Sequence, residues 1–134
     1  LNRFECYFLN TIADTARLVR AVGHEMVVAA MDTHHAHIEE ENPSAAILAN
    51  GDTLGHVQLS ENHRGVPGRG QVDFAAILAA LQRVNYRGWL VIEAFSRQDP
   101  EFGSALRIWR ELDHGLEEGL AAGARIVQSG ARAQ

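Results

Sequence analysis

Little in this sequence fits a disulfide framework, a membrane or a nucleic acid. The 134 residues include a single cysteine, Cys6, which excludes an internal disulfide and fits a reducing cytoplasm. No apolar run approaches the roughly 20 residues of a membrane helix. The net charge of −5 argues against a nucleic-acid partner, because such partners usually require a basic face. We therefore expect a cytoplasmic globular protein with no membrane partner and no nucleic-acid partner.

Three short apolar runs each end in an acidic or amide side chain. These side chains are Asp32, Gln58 and Glu93. Continuous apolar runs are typical of strands in a parallel sheet that is buried on both faces. The spacing between the three groups is close to the roughly 30 residues of one strand–helix unit in an α/β barrel. Because such a barrel carries its functional groups at the C-terminal ends of its strands, the three groups are expected to converge.

Helix signals alternate with these runs. Helices are expected to begin after the caps Thr11, Asn42 and Asp73, and a last helical stretch is expected over residues 102–128, with a break near Gly115. Strands are expected over residues 26–32, 56–59 and 88–95, and a polar loop over residues 33–41. One helix followed by three strand–helix units predicts an α/β fold of parallel βα units.

Three strands and four helices amount to about half of a (β/α)₈ barrel, whose usual size is about 250 residues. Residues 1–5 resemble the end of a strand that begins upstream, and no linker divides the chain. We therefore expect residues 1–134 to form the C-terminal half of one TIM-barrel domain that lacks its N-terminal half. An exposed strand edge favours pairing, so a homo-oligomer or a missing half-barrel is expected as partner. An open α/β sheet is the alternative.

The chemistry of the strand-end groups favours a divalent metal. Two carboxylates with a carbonyl oxygen suit Mn²⁺, Mg²⁺ or Co²⁺ better than a closed zinc site. Gln58 can offer only its neutral amide oxygen. Individually, Asp32 could instead cap a helix or loop, and Glu93 could form an ion pair at a barrel rim. Their common spacing favours a site in which Asp32, Gln58 and Glu93 are the metal ligands.

Two further residues lie close to these strand ends in the sequence. His35 follows Asp32 by three residues and could bind a substrate hydroxyl, or it could be one of three exposed loop histidines. Arg64 lies in a glycine-containing loop, where its planar guanidinium could hold a hydroxyl or carboxylate. An ordinary surface role is the alternative for Arg64. The acidic run 39–41 is interpreted as solvated, and no pattern of nucleophilic catalysis is present.

Taken together, the motifs are similar to one known family. They are Asn2–Glu5, Asp32–Glu40, Gly55–Gly70 and Val91–Phe95. This combination resembles the D-tagatose 3-epimerase (D-psicose 3-epimerase) family of xylose-isomerase-like barrels, over nearly the whole chain. The resemblance implies an isomerase that moves a proton at the carbon next to a ketose carbonyl, through an enediolate. The implied substrate is a ketohexose or ketopentose, inverted at C3.

The resemblance also implies roles for individual residues. It implies a Mn²⁺-type ion held by two glutamates, an aspartate and a histidine, with Asp32 and Glu93 among these ligands. The other glutamate would lie just before Leu1. Glu93 would act as catalytic acid or base, and the substrate's oxygens would contact Glu5, His35 and Arg64.

One position departs from the epimerase pattern. Gln58 stands where the epimerases have a metal-binding histidine, whereas the related hydroxypyruvate isomerases have a similar glutamine. An aldose–ketose isomerase of that kind is therefore an alternative function. A half-barrel that binds or assembles without catalysis is a second alternative, since one of two acid–base groups is absent and this chain alone would then be inactive. A metal-dependent endonuclease on the same barrel is disfavoured by the acidic charge.

Overall fold

The computed structural model describes residues 1–111 and 115–131. The helices are α1 (Ile12–Val22), α2 (Thr33–Glu39), α3 (Pro43–Asn50), α4 (Phe74–Arg83), α5 (Pro100–Ala105) and α6 (Leu116–Ala131), with a 3₁₀ turn over Gly51–Thr53. The strands are β1 (Ala29–Asp32), β2 (Leu54–Leu59) and β3 (Trp89–Ile92). No helix within the described ranges is long and apolar enough to cross a membrane.

The three strands form one parallel sheet in the order β1-β2-β3. Asp32 pairs with Gln58 across the first two strands, and Gln58 pairs with Val91 across the second two. Helices lie between successive strands in the sequence, so the predicted parallel βα units are confirmed. This parallel register places the C-terminal ends of all three strands at one edge of the sheet.

The predicted helix caps are also confirmed. Oγ1 of Thr11 accepts a 3.1 Å hydrogen bond from the backbone N–H of Asp14, in the capping-box manner. Asn42 and Asp73 cap α3 and α4 with their side-chain oxygens, each accepting a backbone N–H three residues on. Gly23 ends α1 in the left-handed conformation, with φ of 62°, which glycine adopts without steric cost. Local side-chain chemistry therefore sets these helix boundaries.

The polar loop expected over residues 33–41 is wrong for most of its length. Oδ1 of Asp32 accepts a 2.7 Å hydrogen bond from the N–H of His34 and starts α2 at once. The acidic run is not simply solvated either, because Glu39 binds Arg3 and Glu40 accepts a bond from the N–H of Ile12. The helix therefore begins at a local cap, the alternative role considered for Asp32, whereas the contacts of Glu39 and Glu40 depend on tertiary partners that local sequence does not reveal.

The last helical stretch also differs from its expected bounds of 102–128. It forms α5 and α6, and the described residues between them, 106–111 and Gly115, are not helical. The residue that follows Leu106, Arg107, has a left-handed φ of 57°, which interrupts a right-handed helix. Residues 112–114, which fall within the expected stretch, lie outside the described residues.

The core lies between β2 and the helices α3 and α4. Its fully buried members include Ile47, Val57 and Leu59, and α4 contributes the predicted apolar face. Burial is less complete on β3, where Trp89 and Val91 are exposed. The expectation of continuously buried strands is therefore wrong for β3, an outer strand of the described sheet that packs against α6, and for β1, where Ala30 is exposed.

Candidate functional site

Three of the predicted site residues meet at the C-terminal edge of the sheet. Asp32 ends β1, Gln58 lies opposite it on β2, and Glu93 directly follows β3. Nε2 of Gln58 donates a 2.5 Å hydrogen bond to Oε2 of Glu93. The side chains of Asp32 and Glu93 are only 8% and 18% exposed. The parallel register thus places two partly buried carboxylates, Asp32 and Glu93, at the ends of the outer strands, with the amide of Gln58 on the strand between them.

Arg64 brings a positive charge to the same place. Its Nη2 lies 3.4 Å from Oε1 of Glu93 and 3.9 Å from Oδ2 of Asp32. The guanidinium also lies over the ring of Phe95, 4.8 Å from the ring centroid. Nε of Arg64 is buried and has no hydrogen-bond partner among the described residues. The guanidinium of Arg64 therefore lies close to both carboxylates.

His35 joins this cluster from α2. Of the three histidines expected in an exposed loop, His35 is buried, His34 is half-buried and His37 is exposed, all on this helix. Nδ1 of His35 lies 3.1 Å from the backbone N–H of Asn2, which can only donate, so Nδ1 accepts. The neutral ring then carries its proton on Nε2, which lies 2.9 Å from Nη2 of Arg64. Two donors thus lie next to each other, an arrangement that an oxygen acceptor within reach of both would satisfy.

The first turn of the chain completes the site. Asn2 is 2% exposed, and its Nδ2 lies within hydrogen-bond distance of both Nδ1 of His35 and Oε1 of Glu5. Oε1 of Glu5 in turn lies 3.5 Å from Nη1 of Arg64. Arg3 fixes this turn to α2 through a two-point contact with Glu39. The structure therefore brings Glu5, His35 and Arg64 together, whereas sequence reasoning assigned no role to Asn2.

The electrostatic environment changes the basicity of two groups. Burial raises the pKa of Glu93, the negative charge of Asp32 raises it further, and Arg64 opposes the rise. Burial lowers the pKa of His35, an effect that Asp32 opposes and Arg64 reinforces. A carboxylate with a raised pKa is a stronger base than an ordinary carboxylate, which suits it to accepting and returning a proton.

Two sets of side chains could hold a cation. Ligand atoms of Glu5, His34 and His35 lie within 4.8 Å of one another. In this set, however, Nδ1 of His34 lies 3.0 Å from the carbonyl oxygen of Asn62, and Nδ1 of His35 is taken by Asn2. The strand-end set offers two carboxylates and, after rotation of its amide, the carbonyl oxygen of a glutamine. Its oxygen-rich chemistry fits a hard divalent ion better.

Sequence reasoning missed a buried carboxylate that shapes the loop carrying Arg64. Glu61 is 0% exposed and accepts hydrogen bonds from the backbone N–H groups of Asn62, Gly68 and Val72. An acidic residue two positions after a strand and before a glycine-rich loop was the signal that could have found it. Glu61 therefore organises the loop between β2 and α4 from inside.

A second missed contact joins the ends of β1 and β2. Oγ1 of Thr33 donates to the carbonyl oxygen of Ser60 at 2.6 Å and accepts from its N–H at 2.7 Å. This side-chain bridge joins the two chain segments just beyond the paired residues Asp32 and Gln58. It fixes the relative height of the two strand ends on which the candidate ligands stand.

Comparison with known proteins agrees with this geometry. The family model described as "Xylose isomerase-like TIM barrel" matches residues 1–121. A D-psicose 3-epimerase from Enterocloster bolteae is 42% identical over 118 residues, which cover 88% of this chain and 39% of that protein. An L-ribulose 3-epimerase from a Methylomonas species is 38% identical, over 88% of this chain and 42% of that protein.

Solved structures show the same partial match. The structure of D-psicose 3-epimerase with D-tagatose from Clostridium cellulolyticum H10 superimposes with a TM-score of 0.80 at 36% identity, covering 98% of this chain and 45% of that one. A structure of L-ribulose 3-epimerase gives a TM-score of 0.83 at 31% identity, covering 99% and 47%. The chain thus spans less than half the length of these relatives and matches part of a barrel. It belongs to the xylose isomerase-like TIM barrel family.

Proposed function

We propose that this chain supplies the metal ligands, one acid–base group and part of the sugar site of a ketose 3-epimerase. The observation that carries this proposal is the convergence of Asp32, Gln58 and Glu93 at one sheet edge, with His35 and Arg64 beside them. Relatives named as ketose 3-epimerases support it. The reaction would invert C3 of a ketohexose or ketopentose.

The proposed cofactor is a divalent cation, with Mn²⁺ first and Mg²⁺ or Co²⁺ as alternatives. Asp32, Gln58 and Glu93 would hold it, since two carboxylates and an amide oxygen form a hard donor set. The position of Arg64 between both carboxylates is consistent with a site built for positive charge. When bound, such an ion would polarise the substrate carbonyl and stabilise negative charge on its oxygen.

Glu93 is the proposed acid–base group of this chain. Its carboxylate would take a proton from the carbon next to the carbonyl and return it. Loss of that proton leaves an enediolate, whose oxygens need hydrogen-bond donors. Nε2–H of His35 and the guanidinium of Arg64 face the same space and would donate to these oxygens. Glu5 would accept a bond from a sugar hydroxyl.

Inversion at C3 requires a second acid–base group on the opposite face of the carbon. This chain spans 39% of the Enterocloster bolteae epimerase. We propose that the second group belongs to the remainder of a complete barrel, whether in one longer chain or in an oligomer. Activity would then require that complete barrel, and residues 1–134 would form one part of a single domain.

Two other functions remain as alternatives. Gln58 in place of a histidine ligand favours an aldose–ketose isomerase, which moves a proton between C1 and C2 and would yield an aldose. A half-barrel that binds a sugar or assembles with a partner without catalysis would yield no product. The position at which solvent hydrogen enters the sugar distinguishes the three functions.

The deciding experiment incubates the protein, purified at its natural length, with D-fructose and MnCl₂ in D₂O. The epimerase function predicts deuterium at C3 together with D-psicose, detected by NMR and chiral chromatography, and both signals should disappear with EDTA. Deuterium at C2 of an aldose product, with deuterium at C1 of the recovered ketose, would establish the isomerase alternative instead. Metal binding without exchange at either carbon would favour the non-catalytic alternative.

A further inference from the structure

A cavity adjoins the candidate site next to Arg64. It has a volume of about 340 Å³ and is formed by the loop after β2 and by the segment that follows α5. Arg64 and Phe95 belong to both places, so the cavity opens beside the guanidinium that faces Glu93. A ligand held at the strand ends could therefore extend into it.

The charge of this cavity is opposite to that of the whole chain. Three arginines line it, Arg64, Arg107 and Arg110, together with His34 and His63. Its lining, as far as the described residues show, contains no carboxylate, although the chain carries a net charge of −5. No ion pair within residues 1–111 and 115–131 involves Arg107 or Arg110. Within these ranges the guanidinium groups of Arg107 and Arg110 are available to an anion, whereas that of Arg64 already lies near Glu5, Asp32 and Glu93.

The outer wall of the cavity is held by specific contacts. Nη1 of Arg97 donates a 2.9 Å hydrogen bond to the carbonyl oxygen of Trp109, and the N–H of Ile108 donates to the carbonyl of Gly103 at 2.8 Å. The ring of Phe95 meets Phe102 edge-on at 5.9 Å between centroids. The segment that carries Arg107 and Arg110 is thereby attached to α5 and to the end of β3.

We propose that this cavity binds the phosphate group of a ketose phosphate, with the sugar's carbonyl end at the strand-end cluster. The proposal rests on the proposed function and narrows its substrate class. Guanidinium groups match phosphate oxygens with paired hydrogen bonds, and the two groups of Arg107 and Arg110 suit a phosphate dianion better than a singly charged carboxylate. In TIM barrels the loops after the last two strands frequently form a phosphate site. The loops after β2 and β3 form this cavity.

Direct binding of inorganic phosphate tests the cavity without requiring catalysis. We would titrate phosphate into the metal-loaded protein of natural length by calorimetry, and compare the double variant Arg107→Gln/Arg110→Gln with the control Arg83→Gln/Arg87→Gln. The control arginines are exposed and line no part of the cavity. The first variant should bind phosphate about tenfold more weakly, whereas the control should bind normally. Phosphate held by the metal would be equally bound in both variants.

Absence of phosphate binding, or equal binding in all three proteins, would overturn the proposal. Because Arg107 and Arg110 are exposed, the double variant should keep its helical circular dichroism. If it does not, Arg110→Gln alone replaces it, and an unchanged dissociation constant would again overturn the proposal.

Turnover then separates this proposal from the proposed function. The kcat/KM for D-fructose 6-phosphate should exceed that for D-fructose at least tenfold and should fall in the Arg107→Gln/Arg110→Gln variant alone. Turnover of D-fructose without preference for its phosphate, or tighter binding of a ketohexuronate, would overturn the phosphate assignment and leave the epimerase function standing. Arginine-dependent phosphate binding without any turnover would uphold the cavity and refute the epimerase function.

Discussion

Gln58 and Glu93 are joined by a 2.5 Å hydrogen bond across two neighbouring parallel strands, with the amide Nε2 as donor and Oε2 as acceptor. This bond holds Glu93, the proposed acid–base group, against β2. In that orientation the amide oxygen of Gln58 is not engaged by Glu93, and a half-turn of the amide exchanges the two atoms. Gln58 can therefore either donate this hydrogen bond to Glu93 or, after the half-turn, offer its oxygen to a cation beside Glu93.

Replacing Glu93 by glutamine should eliminate ketose epimerisation in the protein of natural length. The amide cannot take up the proton, so we expect a fall of about 10³-fold or more in kcat. The change is isosteric, so the free energy of unfolding should change little. Chiral chromatography measures the product, and Glu25→Gln, an exposed site outside the cluster, serves as control. Unchanged turnover in Glu93→Gln would refute its role as acid–base group.

Replacing Gln58 by leucine should weaken Mn²⁺ binding at least about tenfold, the scale seen for groups that merely support a ligand. Leucine has a similar volume but offers no oxygen, and it leaves Glu93 without its amide partner. Replacement by histidine should retain Mn²⁺ binding, because imidazole is also a neutral ligand. Titration calorimetry gives both dissociation constants. Equal Mn²⁺ affinity in wild type and Gln58→Leu would exclude this side chain from the metal site.

Replacing Glu61 by alanine should lower the free energy of unfolding by about 1–3 kcal/mol, because buried N–H groups lose their acceptor. It should also raise KM more than it lowers kcat, since the loop would no longer fix Arg64. Glu61→Gln keeps one carbonyl oxygen and should be milder. Urea unfolding and steady-state kinetics provide the two readings. A stable Glu61→Ala protein with wild-type KM would show that the loop is held by other contacts.

The contact between Glu39 and Arg3 should make stability depend on acid pH. The hydrogen bond from Arg3 lowers the pKa of Glu39 below its usual value of 4.5. The contribution of ionised Glu39 to the free energy of unfolding should therefore be fully present above about pH 4.5. It should be lost as the pH falls through the lowered pKa. Urea unfolding at several pH values should show wild type more stable than Glu39→Gln at pH 7, with the difference vanishing in acid. A difference independent of pH would contradict this account.

Sequence patterns were informative wherever a local rule applied. The caps Thr11, Asn42 and Asp73 begin helices at the expected positions because a side-chain oxygen satisfies a nearby backbone N–H. The apolar runs gave the parallel strands, although β1 and β3 are shorter than predicted and β2 begins two residues earlier than predicted. Local rules failed over residues 33–41, where Asp32 acts as a helix cap and also faces the strand-end cluster.

The amino-acid sequence by itself determined the α/β alternation and the identity of most groups at the sheet edge. Asp32, Gln58 and Glu93 could be found because strand ends in parallel sheets share an edge, and that rule needs only spacing. The tertiary structure alone decided the partners of these groups. Asn2 reaches His35, and the segment after α5 places Arg107 and Arg110 around the outer cavity. Such contacts join residues distant in sequence, so they depend on how the loops pack, which no local pattern records.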